Sequence, residues 1–149
     1  ALMLQSLDRI KVGGNYIDFT APDLQGNPVR LSEQIDGKVA LIDLWASWCG
    51  PCRRAAKSMI PVYEKYKSKG FTVVGIAREK AMQTAVAAAA QDGYPWKILV
   101  EIGDAGNIWS MYGVGNSGGG TFLVDRDGKI LAISPTTEEV EDILKKMLE

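Results

Sequence analysis

The stretch "DLWASWCGPCRR", Asp43 to Arg54, is the most informative part of this sequence about its fold. It continues the apolar run "KVALI" and holds both cysteines of the chain, Cys49 and Cys52, which are three residues apart. An apolar run rich in strand-forming residues is typical of a strand that is buried on both faces. Gly50 and Pro51 end that strand, and proline is tolerated in the first turn of a helix. The stretch therefore predicts a buried strand, a tight turn that carries the cysteines, and a helix that begins at Pro51.

The rest of the chain alternates between strand and helix patterns. "YIDFTAPDLQGNPVRLSE" is typical of two short extended pieces joined by a turn at Gly26, Asn27 and Pro28. The elements expected after the central strand are, in chain order, a helix over 51–69 with an apolar stripe of Ala55, Met59, Val62 and Tyr66, a buried strand over 71–77, an alanine-rich helix that ends at Gly93, a short strand over 96–103, a short helix over 105–114, a hairpin around Asp127 and Gly128, and an amphipathic helix over 136–149 capped by Thr136 or Thr137. This order predicts an α/β fold with a mixed central β-sheet, helices on both faces, and an N-terminal β-hairpin extension.

Length and composition limit the classes of protein to which the chain can belong. It has 149 residues, of which 46% are hydrophobic, and this fits one domain with its own core. We expect that domain over 13–149, after an N-terminal extension over 1–12 that shows no clear period. The formal net charge is −1 without any block of like charge, so we expect no nucleic-acid partner. No apolar run approaches the roughly 18 residues that span a bilayer, and "ALMLQSLDRI" is too short and too charged for a signal peptide.

Three chemistries are open to Cys49 and Cys52. Zinc takes four ligands, and the chain offers two cysteines and no histidine, so a metal could bind only across a dimer and we expect no metal site. An inert structural disulfide would close a loop too small to restrain the unfolded chain, and it would add little stability. The third chemistry is redox work. The absence of histidine also excludes Ser–His and Cys–His catalysis.

The redox interpretation rests on where a helix N-terminus would put the two sulfurs. Cys49 falls at the N-cap and Cys52 in the first turn, where residues i and i+3 have Cβ atoms about 5–6 Å apart. A small adjustment brings such a pair into disulfide range. The partial positive charge and free N–H groups of the helix N-terminus favour a thiolate at Cys49, which we expect to be the more exposed cysteine. Cys49 is thus predicted to be the attacking nucleophile and Cys52 the resolving thiol.

The motif "WCGPC", Trp48 to Cys52, resembles the active-site motif of the thioredoxin superfamily. "FTAPDLQGNPVRLSE" and "TFLVDRDGKIL" resemble its extracytoplasmic TlpA/ResA-like branch, and the resemblance covers nearly the whole chain from about Gly13. It implies a thioredoxin-like fold, thiol–disulfide exchange with protein substrates, and a periplasmic or otherwise extracytoplasmic location. We expect a monomer that needs no cofactor, is served by an upstream redox partner, and has a redox pair tuned by Trp48, Gly50 and Pro51.

Asp43, in "DLWA", matches the buried acid that thioredoxins carry in "DFWA". A carboxyl group in a buried strand is costly to ionise, so its pKa should be raised and it could accept the Cys52 proton during resolution. The alternative is an edge position at which Asp43 meets water. TlpA/ResA-like proteins usually carry a further acid three residues after the second cysteine, where this chain has Ala55.

The loop before the C-terminal hairpin departs from the family. Relatives carry a cis-proline opposite the cysteines, and counting back from Phe122 places Gly119 at that position. A cis bond before a residue other than proline costs about 2.5–4 kcal/mol, so we expect trans peptides. Gly118, Gly119 and Gly120 could let a substrate backbone approach, and they are the predicted substrate-binding residues. The alternative is a flexible loop that holds a substrate poorly.

Four further side chains flank the cysteines. Trp45 is expected in the core, and Trp48 is expected to shape an apolar docking surface. Arg53 and Arg54 are expected to be solvated and to add positive potential near the thiolate.

The function that these residues predict is thiol–disulfide exchange by Cys49 and Cys52 in the bacterial cell envelope. The expected direction is that of a reductase, because Gly-Pro between the cysteines resembles the CxxC motifs with the most reducing potentials. A peroxidase function is an alternative. Such an enzyme would require a threonine three residues before the reactive cysteine, where this chain has Ala46. It would also lack the closely spaced CxxC pair. The second alternative is a thioredoxin-like binding module that holds partners with the loop 118–120 and exchanges disulfides poorly.

Overall fold

The computed structural model describes residues 10–103, 106–115 and 118–149. The strands in this part of the chain are β1 Thr20–Pro22, β2 Pro28–Arg30, β3 Val39–Trp45, β4 Phe71–Glu79, β5 Lys97–Ile102, β6 Gly120–Val124 and β7 Ile130–Ile133. The α-helices are α1 Leu31–Ile35, α2 Gly50–Tyr66, α3 Met82–Asp92, α4 Ile108–Met111 and α5 Thr137–Leu148, and a 3₁₀ turn, Lys67–Lys69, follows α2. Most of the N-terminal extension predicted over 1–12, namely residues 1–9, lies outside the described residues.

Strand β3 is the middle strand of the main sheet, whose order is β5-β4-β3-β6-β7. It pairs in parallel with β4 and antiparallel with β6. All of its residues are buried, as expected for a strand that is covered on both faces. The mixed central sheet that the sequence predicts is confirmed.

The two faces of β3 belong to two separate apolar clusters, because successive residues of a strand point to opposite sides. Leu41 and Trp45 pack in the cluster that α2, α3 and α5 complete. Ile42 and Leu44 pack in the cluster that α1 and α4 complete. Helices on both faces are thus confirmed. Asp43 lies two residues from both Leu41 and Trp45, so its side chain is on the same face of the strand, which α2 covers.

The N-terminal hairpin is present and docks on the main sheet. Strands β1 and β2 pair antiparallel, as predicted. Asp23 forms a β-bridge with Leu99 of β5. The Tyr112 hydroxyl accepts a hydrogen bond from the Ile17 N–H at 3.0 Å and donates one to the Ile17 carbonyl at 2.5 Å. The hairpin is therefore held to the rest of the fold by the Tyr112 hydroxyl just before β1 and by the backbone bridge of Asp23 just after it.

Two details of the predicted helices are wrong. The segment "LSEQI" was expected to begin as extended chain, but it forms α1, which buries Leu31 and Ile35 and is too short for its periodicity to show. On α2 the buried stripe begins at Ala56, while Ala55 is exposed, because Ala56 continues the stripe three residues before Met59.

The last helix confirms one of the two caps proposed for it. The Thr136 side chain accepts a hydrogen bond from the Glu139 N–H, and the Glu139 carboxylate accepts one from the Thr136 N–H, which is a capping box. In the described residues we find no helix that has both the length and the apolar character required to cross a membrane.

Candidate active site

Cys49 and Cys52 form a disulfide at the start of α2, with their Cα atoms 5.3 Å apart. Cys49 is the N-cap, in extended conformation, and Cys52 lies in the first turn. The Cys52 N–H points to the Cys49 sulfur at 3.3 Å. Both the N-cap position and the i, i+3 pairing predicted from the sequence are confirmed. The Cys49 sulfur therefore has a helix N-terminal donor beside it, which favours its thiolate.

The expectation that Cys49 is the more exposed cysteine is wrong. Cys49 is 8% exposed, while Cys52 is half-buried. Cys49 lies in the apolar cluster that contains Ala46 and also Trp109 of α4, an element distant in the sequence. The N-cap position, and not the degree of exposure, is what distinguishes Cys49 as the candidate nucleophile.

Gly119 lies directly against Cys52. Its N–H points to the Cys52 sulfur at 3.3 Å. A Cβ atom added at Gly119 would lie 1.8 Å from the Leu44 carbonyl oxygen and 3.1 Å from the Cys52 sulfur, so no side chain fits there. The described residues contain no cis peptide bond, in agreement with the trans glycines expected at this position. The substrate-binding role of Gly118, Gly119 and Gly120 stays a prediction.

Asp43 lies in the middle of the central strand, opposite Gly75 of β4 and Thr121 of β6. It is only 4% exposed, so the alternative of an edge position in contact with water is wrong. Burial raises the pKa of the Asp43 carboxyl to about 7. A group with that pKa can both hold and release a proton near neutral pH.

A second buried acid, Glu79 at the end of β4, holds the segment that leads into Cys49. Its carboxylate accepts hydrogen bonds from the N–H and the hydroxyl of Ser47, at 2.5 and 2.6 Å. Glu101, on the neighbouring strand β5, accepts hydrogen bonds from the N–H groups of Ile108 and Trp109, at 2.9 and 3.1 Å. These acids fix two backbone segments beside the disulfide.

Glu101 is also connected to the active site through Trp109, whose N–H donates to its carboxylate. The ring of Trp109 lies 6.0 Å from that of Trp48, the residue before Cys49. Sequence reasoning missed both Glu79 and Glu101. The available signal was their place at the ends of two strands predicted to be parallel, since the carboxyl ends of such strands meet at the same edge of the sheet.

Arg53 is not solvated, which corrects the expectation for this residue. Its guanidinium donates to the Asp92 carboxylate at 2.7 and 2.9 Å and to the Ser47 carbonyl at 3.1 Å. The hydrogen bonds between the two side chains lower the pKa of Asp92 and raise that of Arg53. Arg53 thus joins the start of α2 to the end of α3. Arg54 is exposed, as expected.

Two open cavities are lined by residues next to the cysteines, one by Trp48 and the other by Gly119. One, of about 500 Å³, is lined by Ser47, Trp48, Arg78, Glu79, Lys80, Thr84 and Gly103. The other, of about 460 Å³, runs along the glycine loop and is lined in part by Gly118, Gly119, Gly120 and Phe122. Trp48 is 53% exposed at the first cavity, while Trp45 is buried in the core as predicted.

Comparison with known proteins agrees with this site. The AhpC/TSA family model matches residues 12–133. The chain is 30% identical over 143 residues to the thiol-disulfide oxidoreductase ResA of Bacillus cereus (strain ATCC 10987 / NRS 248), with 94% of this chain and 80% of the relative covered. It is 31% identical over 134 residues to the ResA of Geobacillus thermodenitrificans, with 90% and 75% covered.

Solved structures show the same architecture. A putative thiol:disulfide interchange protein DsbE from Chlorobium tepidum superposes with a TM-score of 0.81 at 32% identity, over 94% of this chain and 99% of that chain. The thioredoxin domain of a thiol-disulfide oxidoreductase from Bacteroides vulgatus superposes with a TM-score of 0.82 at 26% identity, over 93% and 99% of the two chains. The thioredoxin-like fold implied by the resemblance is confirmed, and the Cys49–Cys52 pair fits a redox CxxC motif. The chain belongs to the AhpC/TSA family, with a thioredoxin-like fold and the CxxC pair of a thiol-disulfide oxidoreductase.

Proposed function

We propose that this thiol-disulfide oxidoreductase reduces disulfides of other proteins outside the cytoplasm, and that Cys49 and Cys52 alternate between dithiol and disulfide as it does so. The observation that supports this function most strongly is the disulfide at the N-terminus of α2, with a backbone N–H directed at the Cys49 sulfur. A helix N-terminus stabilises the thiolate that exchange requires.

The cycle begins when the Cys49 thiolate attacks one sulfur of a substrate disulfide. A mixed disulfide forms between Cys49 and the substrate, and the other substrate sulfur leaves as a thiolate that takes up a proton. Cys52 then loses its proton and attacks the Cys49 sulfur, which forms the Cys49–Cys52 disulfide and releases the second substrate thiol. An upstream dithiol partner returns two electrons and two protons to the pair.

Asp43 is the proton acceptor for Cys52 in this proposal. Its side chain lies on the face of the sheet that α2 covers, and Cys52 is in the first turn of α2. Since its pKa is raised to about 7, a good fraction of the carboxyl is ionised near neutral pH and can take the Cys52 proton.

The substrate chain lies along the glycine loop in this proposal. Gly118, Gly119 and Gly120 present backbone with no side chains beside Cys52, and a cavity of about 460 Å³ runs along them. Trp48, the residue before Cys49, supplies an exposed apolar surface. The working unit is the domain over 13–149, acting as a monomer in the periplasm or another extracytoplasmic space. The resemblance to the extracytoplasmic TlpA/ResA-like branch and to ResA supports that location.

A pair of single-cysteine variants tests the function. Cys52→Ser should accumulate a mixed disulfide with a disulfide-containing protein such as insulin, because the attack proceeds and the resolution cannot. Cys49→Ser, the matched control, should accumulate none. Equal trapping by the two variants would contradict the roles of the cysteines. Non-covalent binding of the substrate without any trapping would favour a binding module that uses the loop 118–120.

A further inference from the structure

Each sulfur of the disulfide has one backbone N–H beside it. The Cys49 sulfur has the N–H of Cys52, and the Cys52 sulfur has the N–H of Gly119, both at 3.3 Å. The first donor belongs to the helix N-terminus. The second comes from the glycine loop, at the position where the family carries a proline, which has no N–H to donate.

The approach of this N–H to Cys52 requires glycine. A Cβ atom at Gly119 would lie 1.8 Å from the Leu44 oxygen, a distance at which the backbone must move. Such a movement would disturb the sheet, because Gly120, the next residue, pairs with Leu44 in the ladder between β6 and β3. The pairing of the next residue in the sheet therefore orients the Gly119 N–H towards the Cys52 sulfur. Only a residue without a side chain fits at this position.

We propose that the backbone N–H of Gly119 is a catalytic group that stabilises the Cys52 thiolate, an inference that rests on the Cys49–Cys52 exchange proposed above. A disulfide sulfur is a weak acceptor, whereas hydrogen bonds to ionised acceptors are roughly twice as strong as neutral ones. The N–H thus favours the reduced, ionised state of Cys52 over the disulfide.

The group acts when the upstream partner reduces the protein. A partner thiolate attacks the Cys49 sulfur, a new disulfide forms between the partner and Cys49, and the Cys49–Cys52 bond breaks. The electron pair of that bond goes to the Cys52 sulfur, which leaves as a thiolate facing the Gly119 N–H. A thiolate that is stabilised is a better leaving group, so the Gly119 N–H speeds the reduction of the Cys49–Cys52 disulfide by the partner.

Gly119→Pro tests the inference because proline has no N–H to donate. Its Cβ also meets Leu44, so a second measurement, given below, is made with the natural glycine. We expect the equilibrium constant for reduction by glutathione to fall about tenfold, which is about 30 mV towards a more reducing couple. The rate at which dithiothreitol reduces the disulfide should fall in parallel. Gly115→Ala is the control, since a Cβ at Gly115 meets open space in the same loop. Its equilibrium constant should equal that of the unchanged protein.

A second measurement keeps the natural glycine, so it does not depend on whether Gly119→Pro folds. In a Cys49→Ser, Asp43→Asn variant, Cys52 is the thiol whose ionisation can be followed by its ultraviolet absorbance. We expect the Gly119 amide proton resonance to move downfield with the same midpoint as that absorbance, and the Gly115 resonance to stay in place.

The outcomes separate the inference from the function beneath it. A Cys49–Cys52 pair that does not equilibrate with glutathione at all would overturn the proposed exchange function. Two results would overturn the role of Gly119 alone, in a pair that does equilibrate. One is an equilibrium constant that is the same in Gly119→Pro as in the unchanged protein. The other is a Gly119 amide proton resonance that does not move when Cys52 ionises.

Discussion

The buried carboxylate of Glu79 accepts hydrogen bonds from both the N–H and the hydroxyl of Ser47, which lies two residues before Cys49. The contact joins the end of β4 to the segment that enters the N-cap of α2. In this way a strand end that takes no part in the chemistry holds the backbone next to the nucleophile.

Glu79→Ala should lower the free energy of unfolding by about 1–3 kcal/mol, because it leaves the Ser47 N–H and hydroxyl without their acceptor. Urea unfolding of the oxidised protein measures this. Ser47→Ala is the control: it removes the hydroxyl but keeps the bond between the N–H and Glu79, so its loss should be smaller. Equal stability of Glu79→Ala and the unchanged protein would show that the contact stabilises nothing.

Asp43 should make stability depend on pH. The folded protein holds a proton on Asp43 up to about pH 7, whereas the unfolded chain releases it near pH 4. The stability that Asp43 contributes is therefore complete below about pH 4 and is lost as the pH rises through about 7. The loss should be on the order of a few kcal/mol.

The comparison that isolates this effect is urea unfolding of the unchanged protein and of Asp43→Asn between pH 4 and pH 8. The difference in unfolding free energy should shift in favour of Asp43→Asn as the pH rises. Asp142→Asn alters an exposed acid on α5 and should leave the profile unchanged. Parallel curves for Asp43→Asn and the unchanged protein would mean that Asp43 titrates in the same way in both states.

Asp43→Asn should also slow the release of the mixed disulfide, by about 10²-fold near neutral pH, because the asparagine cannot accept the Cys52 proton. Rapid mixing of the reduced variant with a mixed-disulfide reporter measures the resolution step apart from the initial attack. The rate of attack by Cys49 should stay close to that of the unchanged protein. Unchanged resolution rates would remove Asp43 from the mechanism.

Arg53→Ala should destabilise the protein by about 1–3 kcal/mol, because the largely buried Asp92 carboxylate loses a two-bond partner. Arg54→Ala is the matched control, since Arg54 is the adjacent exposed arginine and its loss should change stability by less than about 0.5 kcal/mol. Thermal unfolding of the two variants side by side gives the comparison. Equal effects of the two substitutions would contradict a structural role for Arg53.

The parts of the fold that the sequence predicts are those with a local cause. The apolar run of β3, followed by Gly50 and Pro51, determines strand, turn and helix within one segment. The N-cap position of Cys49 follows from the same residues. The hairpin at Asp127 and Gly128 likewise needs no information from elsewhere in the chain.

What the sequence did not predict depends on contacts between distant segments. Cys49 is buried in an apolar cluster that also contains Trp109, sixty residues away in the chain. Arg53 meets Asp92 only because α2 and α3 pack on the same face of the sheet. A charged residue beside an active site is more often solvated than paired, so the local pattern favoured the wrong environment for Arg53.

The decisive measurement for a reductase is the reduction potential of the Cys49–Cys52 couple, obtained by equilibration against a dithiothreitol or glutathione series. A reductase of protein disulfides should have a value of about −250 mV or lower. A value above about −180 mV would contradict the reductase function and would make the protein an oxidase or isomerase.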